Sequence, residues 1–189
     1  MMVSPHYTEM QWNAAFDDGR EDWDKAIKIV EDRIRGRWLD AVERLLDEPH
    51  SGFAILALDS IVLESMWGFM NGKAFPKGRE RQAYQDILTG PRFGWTASQS
   101  EGFRTLVRNS IMHDAETRNR WLVEKTIPRD VILRKNDNGD YKLNRTKFHG
   151  ALRAAFEDWI AKLRDDDSGL RAKMRKRMDQ IIAIHYAAE

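Results

Sequence analysis

A chain of 189 residues that is 42 % hydrophobic, with seven tryptophans and eight phenylalanines, carries enough apolar surface for one substantial core and does not read as a disordered tail. Its formal charge is +1, and the absence of cysteine excludes disulfides and thiolate zinc centres. The first residues lack the basic segment and apolar run of a secretory signal, and no uninterrupted apolar run approaches the roughly 20 residues that span a bilayer, so a soluble, cytoplasmic protein with no membrane partner is expected.

Residues 1 to 20 mix Pro5, Gly19 and scattered polar groups without a strong period, which predicts an irregular N-terminal arm. From Trp23 the pattern changes: Trp23, Ile27, Val30, Ile34, Trp38, Ala41 and Leu45 recur at intervals of three or four and trace one apolar stripe of a long helix, closed by Pro49. A second helix, 52–70, is nearly continuously apolar and should be buried on more than one side, with Asn71 and Gly72 as its stop. Residues 72–97 read as an insertion-like connection around a short helix near 79–88, whose Phe75, Lys77, Arg79, Arg81, Arg92, Phe93 and Trp95 either line a site or pack over the bundle. Ser98 with Glu101 matches a capping box, and Phe103, Leu106, Val107, Ser110 and Ile111 then mark the inward face of a helix that also carries Arg108 and His113.

After that helix the character shifts. Short apolar segments at 121–123, 131–133 and 141–143, the last two divided by the turn-forming 136–140, predict a small β-hairpin inserted at 120–144. Helical spacing resumes with Phe148, Leu152, Ala155, Phe156, Trp159 and Leu163, and Ser168 is placed as the cap of a last helix, 168–188. The expected fold is therefore all-α: one domain, 1–189, of five to six helices with an inserted hairpin, without internal repeat or linker.

Arg108 and His113 carry the chemistry. A guanidinium stays charged and grips phosphate oxygens in a fork, and an imidazole exchanges protons near neutral pH; together they meet the needs of driving a ribose 2′-hydroxyl onto its own phosphodiester without a metal. Five helical positions differ by about 140°, so the pair is not stacked, but the long arginine stem reaches across a turn. Asn109 adds an amide able to orient the ring or the phosphate. There is no His-Glu-x-x-His, no Walker-type loop and no Gly-x-Ser-x-Gly elbow, and the consecutive carboxylates at 165–167 point in different directions, so neither metal nor cofactor is indicated.

The order of elements and the stretch Phe103-Arg104-Thr105-Leu106-Val107-Arg108-Asn109-Ser110-Ile111-Met112-His113-Asp114-Ala115-Glu116-Thr117 resemble the HEPN superfamily (higher eukaryotes and prokaryotes nucleotide-binding), over residues 25–165. Its signature is an arginine, a polar residue and a histidine four to six positions beyond the arginine. The resemblance implies a HEPN-like helical bundle, a homodimer whose two motifs meet in one cleft, and a metal-independent endoribonuclease of toxin–antitoxin, phage-defence or RNA-processing systems, leaving 2′,3′-cyclic phosphate and 5′-hydroxyl ends. Carried over, Arg108 would neutralise the scissile phosphate, His113 would move protons and Asn109 would support both; Glu64, midway along the second helix, would face the pair and orient Arg108.

RNA is then the expected partner, beside a second copy of the chain and an antitoxin or defence-system protein. Arg104, Arg118, Lys77, Arg79 and Arg81 are candidate RNA contacts, and Trp95 is the candidate for base stacking. The run of Arg171, Lys173, Arg175, Lys176 and Arg177 reads either as a second phosphate-binding surface or as a solubilising helix face. The competing interpretation is a non-catalytic helical dimer that binds RNA or protein.

Overall fold

The computed structural model describes residues 1–17, 19–74, 78, 80–165 and 167–186. In chain order these form α1 (Glu9–Asn13), α2 (23–45), α3 (Gly52–Asn71), α4 (Glu80–Leu88), α5 (97–114), strands β1 (Trp121–Glu124), β2 (Leu133–Lys135) and β3 (Tyr141–Asn144), then α6 (Arg145–Arg164) and α7 (Ser168–Tyr186). Two of the helices are not uniform. α2 contains a π-helical turn at Arg35–Leu39 and α5 another at Phe103–Arg108, each between α-helical stretches. The architecture is all-helical with a small open sheet inserted between helices.

The apolar run that forms α3 has no single polar face, and the fold answers by surrounding it: α2, α4, α5, α6, α7 and β1 all pack on this helix. Its 20 residues and mean hydropathy of 1.5 are sufficient to cross a membrane by length and composition, although Asp59, Ser60, Glu64 and Ser65 interrupt it. Here it is the centre of the bundle, with Ile55, Leu56, Val62, Leu63, Met66, Trp67 and Phe69 buried. Gly72 closes it in the left-handed region at φ 65°, and a Cβ there would stand 3.1 Å from the backbone of Lys173, so glycine is required both for the turn and for the approach of α7.

Three expectations need correction. The N-terminal arm is not irregular throughout: Thr8 and Gln11 form a reciprocal capping box that starts α1, Val3, Trp12 and Ala15 are buried, and the Trp12 indole N–H donates to Asp179 of α7 at 2.8 Å. A five-residue helix is too short to show a period, which is why the pattern missed it. The cap of α5 is Thr96 with Gln99, two residues before the expected Ser98 and Glu101, because Glu101 is instead drawn to Arg104 at 2.7 Å. The cap of α7 is Asp167, whose carboxylate accepts from the Leu170 N–H at 3.0 Å, and Ser168 is already helical.

The expected hairpin is present as β2 antiparallel to β3, and it belongs to a three-stranded sheet in which β1 pairs parallel on the other side of β3, with Trp121 opposite Tyr141. Those two rings stack at 4.8 Å, and Trp121 also lies over Gly102 of α5, where an added Cβ would meet the indole at 2.9 Å. The sheet is thereby fastened to the helix that carries Arg108.

A buried polar pair ties α6 to α3: His149 Nδ1 lies 2.8 Å from Asp59 Oδ1, and neither residue reaches solvent. One turn earlier Arg145 donates to the Ser51 hydroxyl at 2.6 Å and to the Glu48 carbonyl at 2.9 Å, pinning the start of α6 to the α2–α3 corner. Burial holds the Asp59 carboxyl above its usual range, and the hydrogen bond and charge of His149 pull against that rise. Replacing His149 by leucine leaves the Asp59 carboxyl buried and unpaired, and should cost about 3 kcal/mol at a pH where that carboxyl is ionised. Because the folded-state value of Asp59 is raised, the penalty is complete only above that value and disappears below the ordinary aspartate value near ~3.9. Urea denaturation of H149L against wild type is expected to show the deficit shrinking as pH falls; a pH-independent deficit would contradict the assignment.

Candidate active site

The site is assembled where α3, α4 and α5 meet. Arg108 ends the π-helical turn of α5, and its Nη2 lies 2.7 Å from Glu64 Oε1 on α3. Its Nη1 donates to the Asn109 side-chain oxygen at 3.0 Å. Tyr84 of α4 donates its hydroxyl to the same Glu64 oxygen at 2.7 Å. The Arg108 and Glu64 side chains keep 25 % and 18 % of their surface exposed, so the pair is partly shielded from water, where an ion pair is worth more than at the surface.

Burial, followed by the charge and hydrogen bond of Glu64, pushes the Tyr84 phenol well above its usual value. Tyr84 is therefore a permanent donor, and Glu64 a doubly held acceptor, so the guanidinium is fixed at its base. Of the five N–H donors of Arg108, those not spent on Glu64 and Asn109 remain for an incoming anion.

His113 sits in the last turn of α5, which Ala115 closes in the left-handed region at φ 55°. Its side chain is exposed, and among the described residues no hydrogen bond or ion pair joins it to another group, Arg108 included. The pair is separated by about 7.5 Å along the helix axis. The chain then folds straight back: the Arg118 N–H donates to the Leu106 carbonyl at 2.9 Å and the Thr117 hydroxyl to the Trp121 carbonyl at 2.6 Å. Asn119 and Arg120 join Ala115 at positive φ, a concentration of left-handed non-glycine backbone directly after the motif.

The candidate RNA contacts fall into different places. Arg104 is held by Glu101 through two hydrogen bonds, 3.0 and 2.7 Å, and this interaction holds the Glu101 carboxyl low, with a smaller contribution from the charge of exposed Arg81. Glu80 is also held below its usual range, first by its own backbone N–H and that of Gly78, then by Arg104 and Arg108. Arg81, Arg104 and Arg108 thus share one charged seam along α4 and α5. Arg118 lies at the far end of α5, paired with Asp114 at 2.5 Å, on the side of His113. Lys77 and Arg79 lie outside the described residues.

Trp95 is not a stacking platform. It is 6 % exposed and packs among Phe93, Phe103, Trp121 and Phe148, so neither ring face is open to a base. The Gly and Pro around it suggest a surface loop, but a ring of that size next to Phe93 has more to gain in the core. Sequence reasoning missed Tyr84, because a tyrosine at helical spacing reads as core and only the neighbouring carboxylate gives it a polar role.

Comparison of the chain with protein-family models, with curated proteins and with solved structures finds no match. The assignment of the site therefore rests on its own geometry. If Tyr84 holds Glu64 as described, Tyr84→Phe should lower stability by about 1.5 kcal/mol, the worth of a hydrogen bond to a charged group, in urea titrations monitored by tryptophan fluorescence; an unchanged midpoint would remove the phenol from the network.

Proposed function

We propose that this chain is a metal-independent endoribonuclease of the HEPN type, acting as a homodimer. The observation that carries the reading is the Arg108 guanidinium, braced by Glu64 and Asn109 with N–H donors to spare, five residues before a solvent-facing, unpartnered His113 on the same helix. An RNA phosphate bound by Arg108 would have its negative charge balanced as the reaction proceeds. His113 takes the proton from the ribose 2′-hydroxyl, the oxygen attacks phosphorus, and the bond to the 5′-oxygen breaks. The departing oxygen receives its proton from an imidazolium, leaving a 2′,3′-cyclic phosphate and a 5′-hydroxyl.

A second copy of the chain supplies what one chain lacks, since Arg108 and His113 make no contact with each other. Met112 is 51 % and Leu122 43 % exposed on the elements flanking His113, and they give a second protomer an apolar edge to cover. A toxin or phage-defence setting, with an antitoxin or other defence protein as partner, is what the resemblance of Arg108 to Thr117 implies for such an activity.

A second reading, a non-catalytic dimer that binds RNA or protein, is favoured by the engagement of Arg108 with Glu64, because that ion pair must yield some of its strength to a phosphate. Purified wild type, R108A and H113A, incubated in EDTA with labelled single-stranded RNA and total cellular RNA, separate the two. Wild type is expected to cut and leave cyclic phosphate ends, and H113A to lose at least about a hundredfold in rate while still eluting as a dimer. Absence of cleavage, or equal cleavage by H113A, would contradict the nuclease and support the binding module.

A further inference from the structure

Two Asn-Gly pairs stand in this chain, at 71–72 and at 138–139, and the fold places them in opposite circumstances. Asparagine followed by glycine carries a latent reaction, because the glycine nitrogen can reach the asparagine side-chain carbonyl carbon and has no Cβ beside it to obstruct the approach. How firmly each pair is held decides whether the reaction runs.

The pair at 71–72 is held throughout. The Asn71 amide donates to the Trp67 carbonyl at 2.9 Å, which ties the side chain back along α3. Gly72 is buried, and its N–H donates to the Phe69 carbonyl at 3.4 Å. α7 lies directly over it, since a Cβ on Gly72 would stand 3.1 Å from Lys173 Cα and 3.2 Å from the Lys173 carbonyl oxygen.

The pair at 138–139 forms the tip of the β2–β3 hairpin. Asn138 is exposed, and among the described residues its side chain makes no hydrogen bond. Around Gly139, at φ 85°, a Cβ would meet only the Arg120 and Lys135 side chains, each at 3.9 Å. The restraint on its nitrogen is an N–H bond to the Asn136 carbonyl at 3.0 Å, in an exposed turn where local opening costs least. The charged groups of this turn balance: Arg120 pairs with Asp140, Lys135 lies 5.5 Å from the centre of the Tyr141 ring, and Asp137 is exposed. No net negative field therefore opposes loss of the Gly139 amide proton.

We propose that Asn138 is a modification site, at which the folded chain deamidates spontaneously. The Gly139 nitrogen gives up its proton and bonds to Asn138 Cγ, the Cγ–Nδ2 bond breaks, and ammonia leaves as a succinimide ring closes. Water opens the ring at either carbonyl, so the residue becomes aspartate or isoaspartate, the latter with the main chain running through its side-chain carbon. The formal charge of +1 falls by one, and the new carboxylate joins Asp137 and Asp140. An isoaspartate also lengthens the turn between Lys135 and Tyr141, which are paired across the hairpin, and Tyr141 stacks on the Trp121 that seats the sheet against α5. The inference does not rest on the ribonuclease reading.

The test incubates wild type at mildly alkaline pH, folded and unfolded in guanidinium chloride, and follows both pairs over days by peptide mapping and mass spectrometry, with electron-transfer fragmentation to separate aspartate from isoaspartate. In the unfolded chain the two pairs should react at comparable rates. In the folded protein Asn138 should react at least about tenfold faster than Asn71. Asn138→Ser should lack the acidic form that anion exchange resolves from aged wild type. An Asn138 that stays intact in the folded protein while both pairs convert in denaturant, or equal rates at the two pairs in the folded protein, would overturn the proposal.

Discussion

Two carboxylates on the central helix constrain the rest of the molecule. α3 is apolar enough to be buried all round, yet it carries Asp59 and Glu64 into the bundle, and neither can remain there without partners. Asp59 is matched by His149 of α6, and Glu64 by Arg108 of α5 and Tyr84 of α4. Three helices are thus oriented around α3 by specific polar contacts, while hydrophobic packing supplies the bulk of the cohesion. The two pairs differ in access: Asp59 and His149 are sealed, whereas Glu64 and Arg108 sit at the edge of the core and keep part of their surface in water. The first is closed to solvent and the second is open to it.

The edge position of Arg108 follows from the irregularity of α5. A π-helical turn occupies Phe103–Arg108, and regular α-helix resumes at Asn109. Phe103 and Val107 remain buried while Arg108 turns to Glu64. Such a turn costs hydrogen-bond quality and persists where a side chain must be aimed, a common circumstance at functional sites. Trp121 against Gly102 and the return of Arg118 to the Leu106 carbonyl brace the same helix from the sheet side, so the Arg108 to His113 segment is carried on a supported element.

Much of this was legible in the residues. The periodic apolar stripe of α2, the near-continuous run of α3, the Asn71 and Gly72 stop and the turn at 136–140 each rest on strong local physics, and each appears where expected. Glu64 stands out as a residue that could face Arg108, but nothing in the residues alone fixes that contact, which the fold makes at 2.7 Å. What escaped depended on distant partners. α1 is held by Trp12 reaching Asp179, β1 by its parallel pairing with β3, and Trp95 by four aromatic neighbours contributed by separate elements. His149, near the start of α6, gave no local sign that Asp59 stood opposite it.

The account depends most on Glu64 acting through Arg108, and a double-mutant cycle measures that directly. Glu64→Gln keeps the shape and the acceptor for Tyr84 while removing the charge, and Arg108→Met keeps the stem while removing the guanidinium. In urea denaturation, E64Q should cost about 1–2 kcal/mol in the wild-type background and close to nothing in R108M, a coupling of at least about 1 kcal/mol. Equal costs of E64Q in both backgrounds would mean that the two side chains are neighbours without energetic connection, and the site as described would not stand.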